Sequence, residues 1–306
     1  MTPLEKEIEA RLHVMDAYFP LQDLLEKKTD SQAVARYYRK SDYFYKKIHG
    51  KGAEAIHMGL SEDGIFKKED FLGQARFVGT LLDRPGMNIL ELGAGRLVNS
   101  RYLATEFPQN HYTALDLPNR NFLKNKVPSN VTLVEGDYHN LSAFPEASFD
   151  LVFGVETVCH AADKDKVLGE VAKVLKPGGK LVLFDVYEPK PQEQMSDFEK
   201  RVSAITLAGM CVTPKDHYIG LYEKRLAAHG FTDIQVEDLT WQIKPSLRRL
   251  DRISCFYFMH PRFLDFTRRH LSQDVLLNSI AGWLMLLTFD GENIHQYNRI
   301  VATKAQ

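Results

Sequence analysis

An acid, a thiol and an imidazole stand close together in the stretch VFGVETVCHAADK, which runs from Val152 to Lys164. Glu156, Cys159 and His160 follow a short apolar run that has the pattern of a buried strand. Side chains of these types suit a metal centre, a nucleophile with its base, or the rim of a small-molecule pocket. The stretch by itself leaves the three possibilities open, and the segments around it have to decide between them.

Two glycines and two carboxylates stand at the ends of the strands that precede this stretch. Gly93 and Gly95 end the first strand in LELGAGR, where backbone without side chains can turn sharply and approach a ligand closely. Asp116 ends the second strand and can accept both hydroxyls of a ribose, and Asp137 follows the third, placed to receive an amine such as that of adenine. The third glycine of a dinucleotide fingerprint is replaced by Val98, which disfavours a pyrophosphate and an NAD-dependent oxidoreductase. The set predicts a nucleoside site without a diphosphate.

Short apolar strands alternate with helices in the central part of the chain, which indicates parallel β–α units buried on both faces. The strand segments are NILEL, HYTALDL, VTLVEGD, SFDLVFGVE and KLVLFDVYE, and the helical ones are VNSRYLATEF, NRNFLKNK and DKVLGEVAKVLKPGG, stopped by Pro-Gly-Gly. A polar stretch, the helix HYIGLYEKRLAAHGF, the strand TDIQVEDLTWQI and the last strand NRIVATK follow. The predicted fold is α/β: a doubly wound, Rossmann-like, mostly parallel seven-stranded sheet with helices on both faces.

Helical segments flank this sheet on both sides in the sequence. We expect residues 1–85 to form a helical lid or substrate segment, 86–243 the Rossmann-like cofactor-binding domain, 244–292 a helical insertion, and 293–306 the last strand of the cofactor-binding domain. In the insertion, Lys244, Arg248 and Arg252 are four residues apart and share one helix face. That face is either solvated or meets an anionic group such as a substrate phosphate or a lipid head.

The composition excludes several classes of protein. Of 306 residues, 44% are hydrophobic and 26% charged, and a formal net charge of -1 gives no basic excess for nucleic acid. Three cysteines far apart indicate reduced thiols in a cytoplasmic protein rather than a disulfide framework. The N-terminal residues mix both charge signs, so no signal peptide is expected. The longest apolar run, Ile280 to Phe289, is too short to cross a bilayer, which needs roughly 20 residues.

Five segments together resemble the class I S-adenosylmethionine-dependent methyltransferases: ILELGAG, ALDL, EGDYHNL, SFDLVFGVETVCHAADK and VLKPGGKLVLFD. VETVCHAAD looks specifically like the sterol C-methyltransferase group and its lipid and small-molecule relatives. The stretch from Tyr37 to Leu60 is similar to the aromatic substrate segment and the H-x-G motif of that group. One departure lies in the glycine loop, where Leu97 stands at a position that is often glycine in the family.

The resemblance implies S-adenosyl-L-methionine as cofactor and no metal. It places Glu156 and His160 at the carboxyl edge of the sheet, facing the transferable methyl group, and makes them, with Tyr38, the predicted catalytic residues. If the acceptor is an alkene, Glu156 and aromatic rings near residues 37–45 (Tyr37, Tyr38, Tyr43, Tyr45) can stabilise positive charge. If it is a hydroxyl or an amine, His160 can remove the proton. The predicted cofactor-binding residues are Glu91, Gly93, Ala94, Gly95, Asp116, Leu117, Gly136, Asp137, Tyr138 and Glu156.

The expected function is methyl transfer to a small lipophilic molecule, such as an isoprenoid, a sterol-like lipid or a natural-product scaffold. Carbon is slightly favoured as the acceptor atom. The alternatives are O- or N-methylation of a small metabolite and a non-catalytic protein that binds S-adenosylmethionine. His57 is expected either to line the cofactor pocket or to pack in the core. The expected partner is a small-molecule acceptor, and neither nucleic acid nor an integral membrane span is expected. Weak contact with a membrane surface and a homodimer are both compatible with this expectation.

Overall fold

A single sheet of seven strands organises the chain. The computed structural model describes residues 1–25, 31–44, 54–118, 127–212, 217–270, 273–290 and 293–306, without the side chains of 41–44 and 273–276. The strands are β1 (Asn88–Leu92), β2 (His111–Asp116), β3 (Val131–Glu135), β4 (Phe149–Val155), β5 (Leu175–Tyr187), β6 (Phe231–Asp238) and β7 (Gln296–Lys304). Their order is β3-β2-β1-β4-β5-β7-β6, with β7 antiparallel to β5 and β6 and the other pairs parallel. The predicted fold class is confirmed.

Helices cover both faces of the sheet, which is why β4 is buried along its whole length. They are α1 (Pro3–Asp16), α2 (Leu21–Leu25), α3 (Ser31–Phe44), α4 (Gly73–Gly79), α5 (Val98–Glu106), α6 (Lys164–Val174), α7 (Asp197–Gly209), α8 (Ile219–Ala228), α9 (Thr240–Phe258), α10 (Pro261–His270) and α11 (Gln273–Phe289). Apolar residues of α6 and α8 pack on one sheet face, and those of α4, α5, α9 and α11 pack on the other.

The N-terminal helices and the insertion share a third apolar cluster. Ile8 and Met15 of α1 pack there with Val202 of α7, Leu264 of α10 and Trp283 of α11. Two segments that flank the sheet domain in sequence are therefore joined in space, beside the edge at which the parallel strands end. Within the described residues, no helix is both long and apolar enough to cross a membrane.

Local differences from the sequence expectations have identifiable causes. Helix α7 lies in a stretch expected to be irregular; Ser196 and Glu199 form a capping box that starts it. The segment TDIQVEDLTWQI is a strand only to Asp238, because α9 begins at Thr240, ahead of the predicted start of the insertion at residue 244. Pro-Gly-Gly does not end α6: β5 already begins at Leu175. The predicted helix NRNFLKNK lies outside the described residues.

Candidate active site

The carboxyl ends of β1, β2 and β4 open into one cavity, which is called the edge cavity below. A crevice at the carboxyl ends of parallel strands is where open α/β sheets bind ligands. Its walls are Val34, Ala35, Tyr38, Ile56, Gly93, Asp116, Leu117, Tyr138, Val155, Glu156, Thr157 and His160. Five predicted cofactor residues are in this list: Gly93, Asp116, Leu117, Tyr138 and Glu156.

The glycine loop after β1 is shaped by three residues with positive φ: Gly93 at 62°, Gly95 at 54° and Leu97 at 63°. A Cβ atom at Gly93 would overlap the hydroxyl of Thr157, so only glycine fits there. Position 97 is often glycine in the family and is leucine here. Leu97 nevertheless adopts the left-handed conformation, and its side chain is fully buried. Leucine therefore holds a strained backbone position because packing compensates for it.

Asp116 ties the second strand to this loop. Its Oδ2 accepts the backbone N–H of Gly95 at 2.6 Å, and its Oδ1 accepts that of Leu117 at 2.7 Å. The N–H of Gly136 bonds the carbonyl oxygen of Asp116 at 2.9 Å, which joins β2 to the turn after β3. Ala94 is joined in the same way, through its N–H to the carbonyl of Leu115 at 3.0 Å. Ala94, Gly95 and Gly136 shape the edge cavity through backbone contacts rather than as wall residues.

Asp137 lies beside this cavity and is covered by α3. Its Oδ2 accepts the hydroxyl of Ser31 at 2.6 Å, and its Oδ1 accepts the backbone N–H of His139 at 2.9 Å. Burial alone would raise the pKa of Asp137, but the hydrogen bonds from His139 and Ser31 hold it well below its ordinary value. The adjacent Tyr138 donates its hydroxyl to the carbonyl of Thr157 at 3.0 Å.

Glu91 faces away from the edge cavity, toward the start of α5. Its carboxylate accepts the side-chain amide of Asn99 at 3.0 Å and the backbone N–H of Ser100 at 3.2 Å. Burial raises its pKa to about 7 despite these hydrogen bonds. The structure thus places Glu91 behind the glycine loop, where it fixes the loop against the helix.

A second cavity, called the inner cavity below, lies between the sheet edge and the flanking helices. Its walls are Tyr37, Tyr38, Ile56, Met58, Glu156, Cys159, His160, Val186, Met210, Val212, Leu250, Ile253, Ser254, Asn278, Ala281 and Met285. Most of these are aliphatic, and no lysine or arginine is among the described ones. Polar groups gather where Tyr37 hydrogen-bonds the side chain of Asn278.

The two cavities share Tyr38, Ile56, Glu156 and His160. The three predicted catalytic residues therefore lie together, at the boundary between the cavities. The predicted neighbour Tyr45 lies outside the described residues, as does the side chain of Tyr43. The wall residues from α7, α9 and α11 were not anticipated, since nothing in their spacing distinguishes a cavity wall from core packing.

His160 is held in one tautomer. Its Nδ1 lies 2.9 Å from the carbonyl oxygen of Cys211, which can only accept, so Nδ1 carries the proton. In the neutral imidazole Nε2 then has the lone pair, and the hydroxyl of Tyr38 can donate to it at 2.7 Å. Cys211 presents its carbonyl from a backbone with φ of 59°. In this tautomer the neutral ring is a base whose basic nitrogen is directed at Tyr38.

Glu156 is a buried carboxyl on a strained backbone, with φ of 48°. Its N–H bonds the carbonyl of Phe184 at 2.7 Å, and its Oε1 accepts the N–H of Met58 at 2.7 Å. Burial raises its pKa to about 8, so the acid is mostly protonated at neutral pH.

Other candidates take structural roles. Burial raises the pKa of the Cys159 thiol well above its ordinary value, so it is no thiolate nucleophile. His57 lines neither cavity: its Nε2 lies 2.8 Å from the carbonyl of Phe71, and burial lowers its pKa to about 4. Within the described residues no cluster of histidine, cysteine and carboxylate side chains could hold a metal ion.

The residue types around the edge cavity suit an adenosyl sulfonium. Gly93 allows the chain to turn against Thr157, and the carboxylate of Asp116 lies in the wall. Asp137 is outside the wall and accepts the hydroxyl of Ser31; its carboxylate oxygens are of the type that accepts an adenine amine. Acids at the ends of two neighbouring strands suit a nucleoside, and the buried carboxyl of Glu156 suits the cationic end.

Comparison with known proteins identifies residues 90–183 as a methyltransferase domain. A curated relative, the S-adenosyl-L-methionine-dependent Diels-Alderase of Talaromyces variabilis, is 27% identical over 223 residues, covering 69% of this chain and 74% of the relative. The sterol 24-C-methyltransferase of Eremothecium gossypii is 32% identical over 108 residues, covering 35% of this chain and 28% of the relative. A crystal structure of the 4+2 cyclase SpnF has a TM-score of 0.70 at 17% identity, covering 90% of this chain and 97% of that one.

The chain spans less than half the length of the sterol enzyme and of two further curated relatives. The similarity is nevertheless continuous over the strands that form the edge cavity, and solved structures of the same fold hold S-adenosylmethionine. The sheet order, the edge cavity with its glycine loop and acids, and the matched domain agree: the chain contains a methyltransferase domain with the class I S-adenosylmethionine-dependent methyltransferase fold, and S-adenosylmethionine is the cofactor.

Proposed function

We propose that this chain transfers the methyl group of S-adenosylmethionine to a small, lipophilic, uncharged acceptor bound in the inner cavity, and that carbon is the favoured acceptor atom. One observation carries the proposal: the edge cavity and the inner cavity meet at Tyr38, Glu156 and His160. A cofactor in one and an acceptor in the other would be aligned across these three side chains.

The walls of the inner cavity support the choice of acceptor. Met58, Val186 and Met285 offer no hydrogen bonds, and a phosphate or carboxylate would find no lysine or arginine among the described wall residues. Burying an unpaired charge there would be strongly unfavourable. The polar group formed by Tyr37 and Asn278 suits a single hydroxyl or carbonyl of an otherwise apolar molecule. An isoprenoid, a sterol-like lipid or a natural-product scaffold meets this description.

The chain's own residues align the reactants and take up a proton. When bound, S-adenosylmethionine supplies an electrophilic methyl group, which the acceptor takes by in-line displacement. An oxygen or nitrogen acceptor releases the proton it carried, whereas an alkene carbon becomes a cation that loses a proton from a neighbouring carbon. In each case the proton can pass to the oxygen of Tyr38 while the hydroxyl proton of Tyr38 moves to Nε2 of His160.

Glu156 supports carbon as the acceptor atom. Its carboxyl lies in both cavity walls, and a cation formed on the acceptor favours its ionised form. The carboxylate would then stabilise the cation through space, and the apolar walls exclude the water that would otherwise capture it. Oxygen and nitrogen acceptors remain chemically compatible with His160 as the base.

A second candidate is binding of the cofactor without methyl transfer. Two comparisons favour it. The relative from Talaromyces variabilis is named as a Diels-Alderase, and the solved structure of SpnF is named as a 4+2 cyclase. A largely apolar cavity beside a bound cofactor would also suit the folding of a polyene for cyclisation.

Both candidates are tested by one experiment. The purified chain is incubated with donor carrying a deuterated methyl group and with lipid and polar-metabolite extracts, and the products are identified by mass spectrometry. The proposal expects label in a lipophilic compound, on carbon by fragmentation, and labelling about a hundredfold slower with His160→Ala. Label confined to charged metabolites would contradict the acceptor class. Conversion of a compound without label would establish the second candidate. A cytoplasmic location stays a prediction.

A further inference from the structure

The outer face of α9 carries large apolar side chains and arginines in one stripe. Trp241, Arg248, Arg252, Phe256 and Met259 recur at helical spacing, and all five are exposed. The exposed fraction is 50% for the tryptophan, 58% for the phenylalanine and 62% for the methionine. Large apolar side chains grouped on a surface mark an interaction site rather than ordinary exposure.

Helix α10 continues this stripe. Arg262, Phe263, Phe266 and Arg269 lie on its exposed side, with the two phenylalanines 48% and 58% exposed, while Leu264 faces the core. The ring centroids of Phe256 and Phe263 are 6.5 Å apart, so the exposed faces of α9 and α10 join. We call these residues of the two helices the outer stripe.

The charge around the outer stripe is one-sided. Residues 248–270 contain six arginines and two aspartates, in a chain whose formal net charge is -1. Both aspartates are engaged, Asp251 with Arg11 of α1 and Asp265 with Arg268 at 4.0 Å. Arg252, Arg262 and Arg269 are exposed on the same helices as the exposed aromatic rings, and the one exposed acid of α10, Asp265, pairs with Arg268. On one helix face, arginines alternate with aromatic and aliphatic residues. Such a face complements a bilayer surface, where anionic headgroups lie above apolar acyl chains.

The opposite face of α9 connects this surface to the chemistry. Leu250, Ile253 and Ser254 line the inner cavity. One helix therefore separates the outer stripe from the proposed acceptor site. A lipophilic acceptor is sparingly soluble in water, so a surface that brings the inner cavity to a bilayer would bring it to the acceptor.

We propose that the outer stripe docks this enzyme on an anionic phospholipid membrane, with Trp241, Phe256, Met259 and Phe266 entering the headgroup boundary and the arginines binding lipid phosphates and carboxylates. The docking is interfacial, along the two helices, and requires no span. It goes beyond the proposed function, because membrane docking can hold or fail whichever acceptor the inner cavity takes.

The test is co-sedimentation of the full chain with vesicles of equal parts phosphatidylserine and phosphatidylcholine, beside vesicles of phosphatidylcholine alone. We expect binding to the anionic vesicles that weakens as salt is raised. Arg252→Gln with Arg262→Gln should lower the apparent affinity about thirtyfold, and Phe256→Ser with Phe266→Ser should abolish binding. The matched control is Lys166→Gln with Lys224→Gln, which removes two exposed charges from α6 and α8 on the other sheet face and should bind normally.

Trp241, one of two tryptophans, reports on the face that is used. Its fluorescence should shift to the blue when anionic vesicles are added, and Trp241→Phe should remove the shift; Trp283 is already buried. All variants must still bind S-adenosylhomocysteine, which shows that they are folded. The proposal would be overturned if the chain did not bind vesicles, or if the arginine variant bound as well as the control variant. It would also be overturned if the chain self-associated without binding vesicles and Phe256→Ser with Phe266→Ser abolished that self-association.

Discussion

The hydroxyl oxygen of Tyr38 lies 2.7 Å from Nε2 of His160, in the wall that separates the edge cavity from the inner cavity. Because the carbonyl of Cys211 accepts a hydrogen bond from the proton-bearing Nδ1, the neutral imidazole can accept the hydroxyl of Tyr38 at Nε2. Helix α3 and the turn after β4, which are far apart in the chain, thus combine one proton-accepting unit between the two cavities.

Removing either member of this pair should disable the same step. We expect Tyr38→Phe and His160→Ala each to lower kcat about a hundredfold, the usual contribution of general acid–base catalysis. Because the two residues act as a unit, the double variant should be little slower than the worse single variant. Steady-state kinetics with the acceptor found by the labelling experiment measures this, and S-adenosylhomocysteine affinity provides the folding control. Additive losses would show that the two side chains act separately.

Asp116 should govern cofactor affinity. Asp116→Ala removes an anionic acceptor in the edge cavity wall and the bonds to the N–H groups of Gly95 and Leu117, so the affinity for S-adenosylhomocysteine should fall at least about a hundredfold. The matched control is Glu135→Gln, which neutralises an exposed acid that pairs with Asp116 in the β2–β3 register. Isothermal titration calorimetry measures both variants. Near-normal affinity for Asp116→Ala would move the cofactor site elsewhere.

Glu156 should make the free energy of unfolding decrease with pH. Burial raises its pKa from an ordinary 4.5 to about 8, so the folded chain keeps a proton that the unfolded chain releases. Stability is therefore lost between about pH 4.5 and pH 8, and Glu156→Gln should remove this loss, amounting to a few kcal/mol. Glu91 and Asp185, whose pKa values burial raises to about 7 and about 6, contribute the same sign.

For that reason the informative quantity is the stability difference between Glu156→Gln and the parent chain. Urea unfolding at several pH values should show the variant gaining on the parent from pH 5 to pH 8. A difference that stays constant over this range would mean that Glu156 is already ionised in the folded chain.

Leu97 offers a test of backbone strain. Leu97→Ala and Leu97→Gly both remove a fully buried side chain, which should cost about 2–5 kcal/mol. Glycine also relieves the left-handed backbone at φ of 63°, so Leu97→Gly should be about 1 kcal/mol more stable than Leu97→Ala. Thermal unfolding of the two variants decides the order. An alanine variant as stable as the glycine variant, or more stable, would argue against strain at this position.

Residues with local signals can be located from the sequence. Gly93, Asp116, Glu156 and His160 lie at or just after strand ends, and parallel strands bring their carboxyl ends to one edge whatever the details of packing. The contacts of Glu91 could not be anticipated, because alternation along β1 does not reveal that Asn99 and Ser100 hold its carboxylate behind the loop. The contact of Ser31 with Asp137 could not be anticipated either, because it requires α3 to fold back over the sheet.

The sequence by itself determined the sheet, the glycine loop and the acids at its edge, because strand period, turn residues and strand ends are local properties. Only the tertiary structure decided what closes the inner cavity. Met210 directly follows α7, Ser254 belongs to α9 and Asn278 to α11. An apolar helix face in a sequence shows that the face will be buried, but it does not show which element will cover it. The tertiary structure likewise decided the protonation of Glu156 and His160. Burial by distant segments sets the pKa of Glu156, and the carbonyl of Cys211 sets the tautomer of His160.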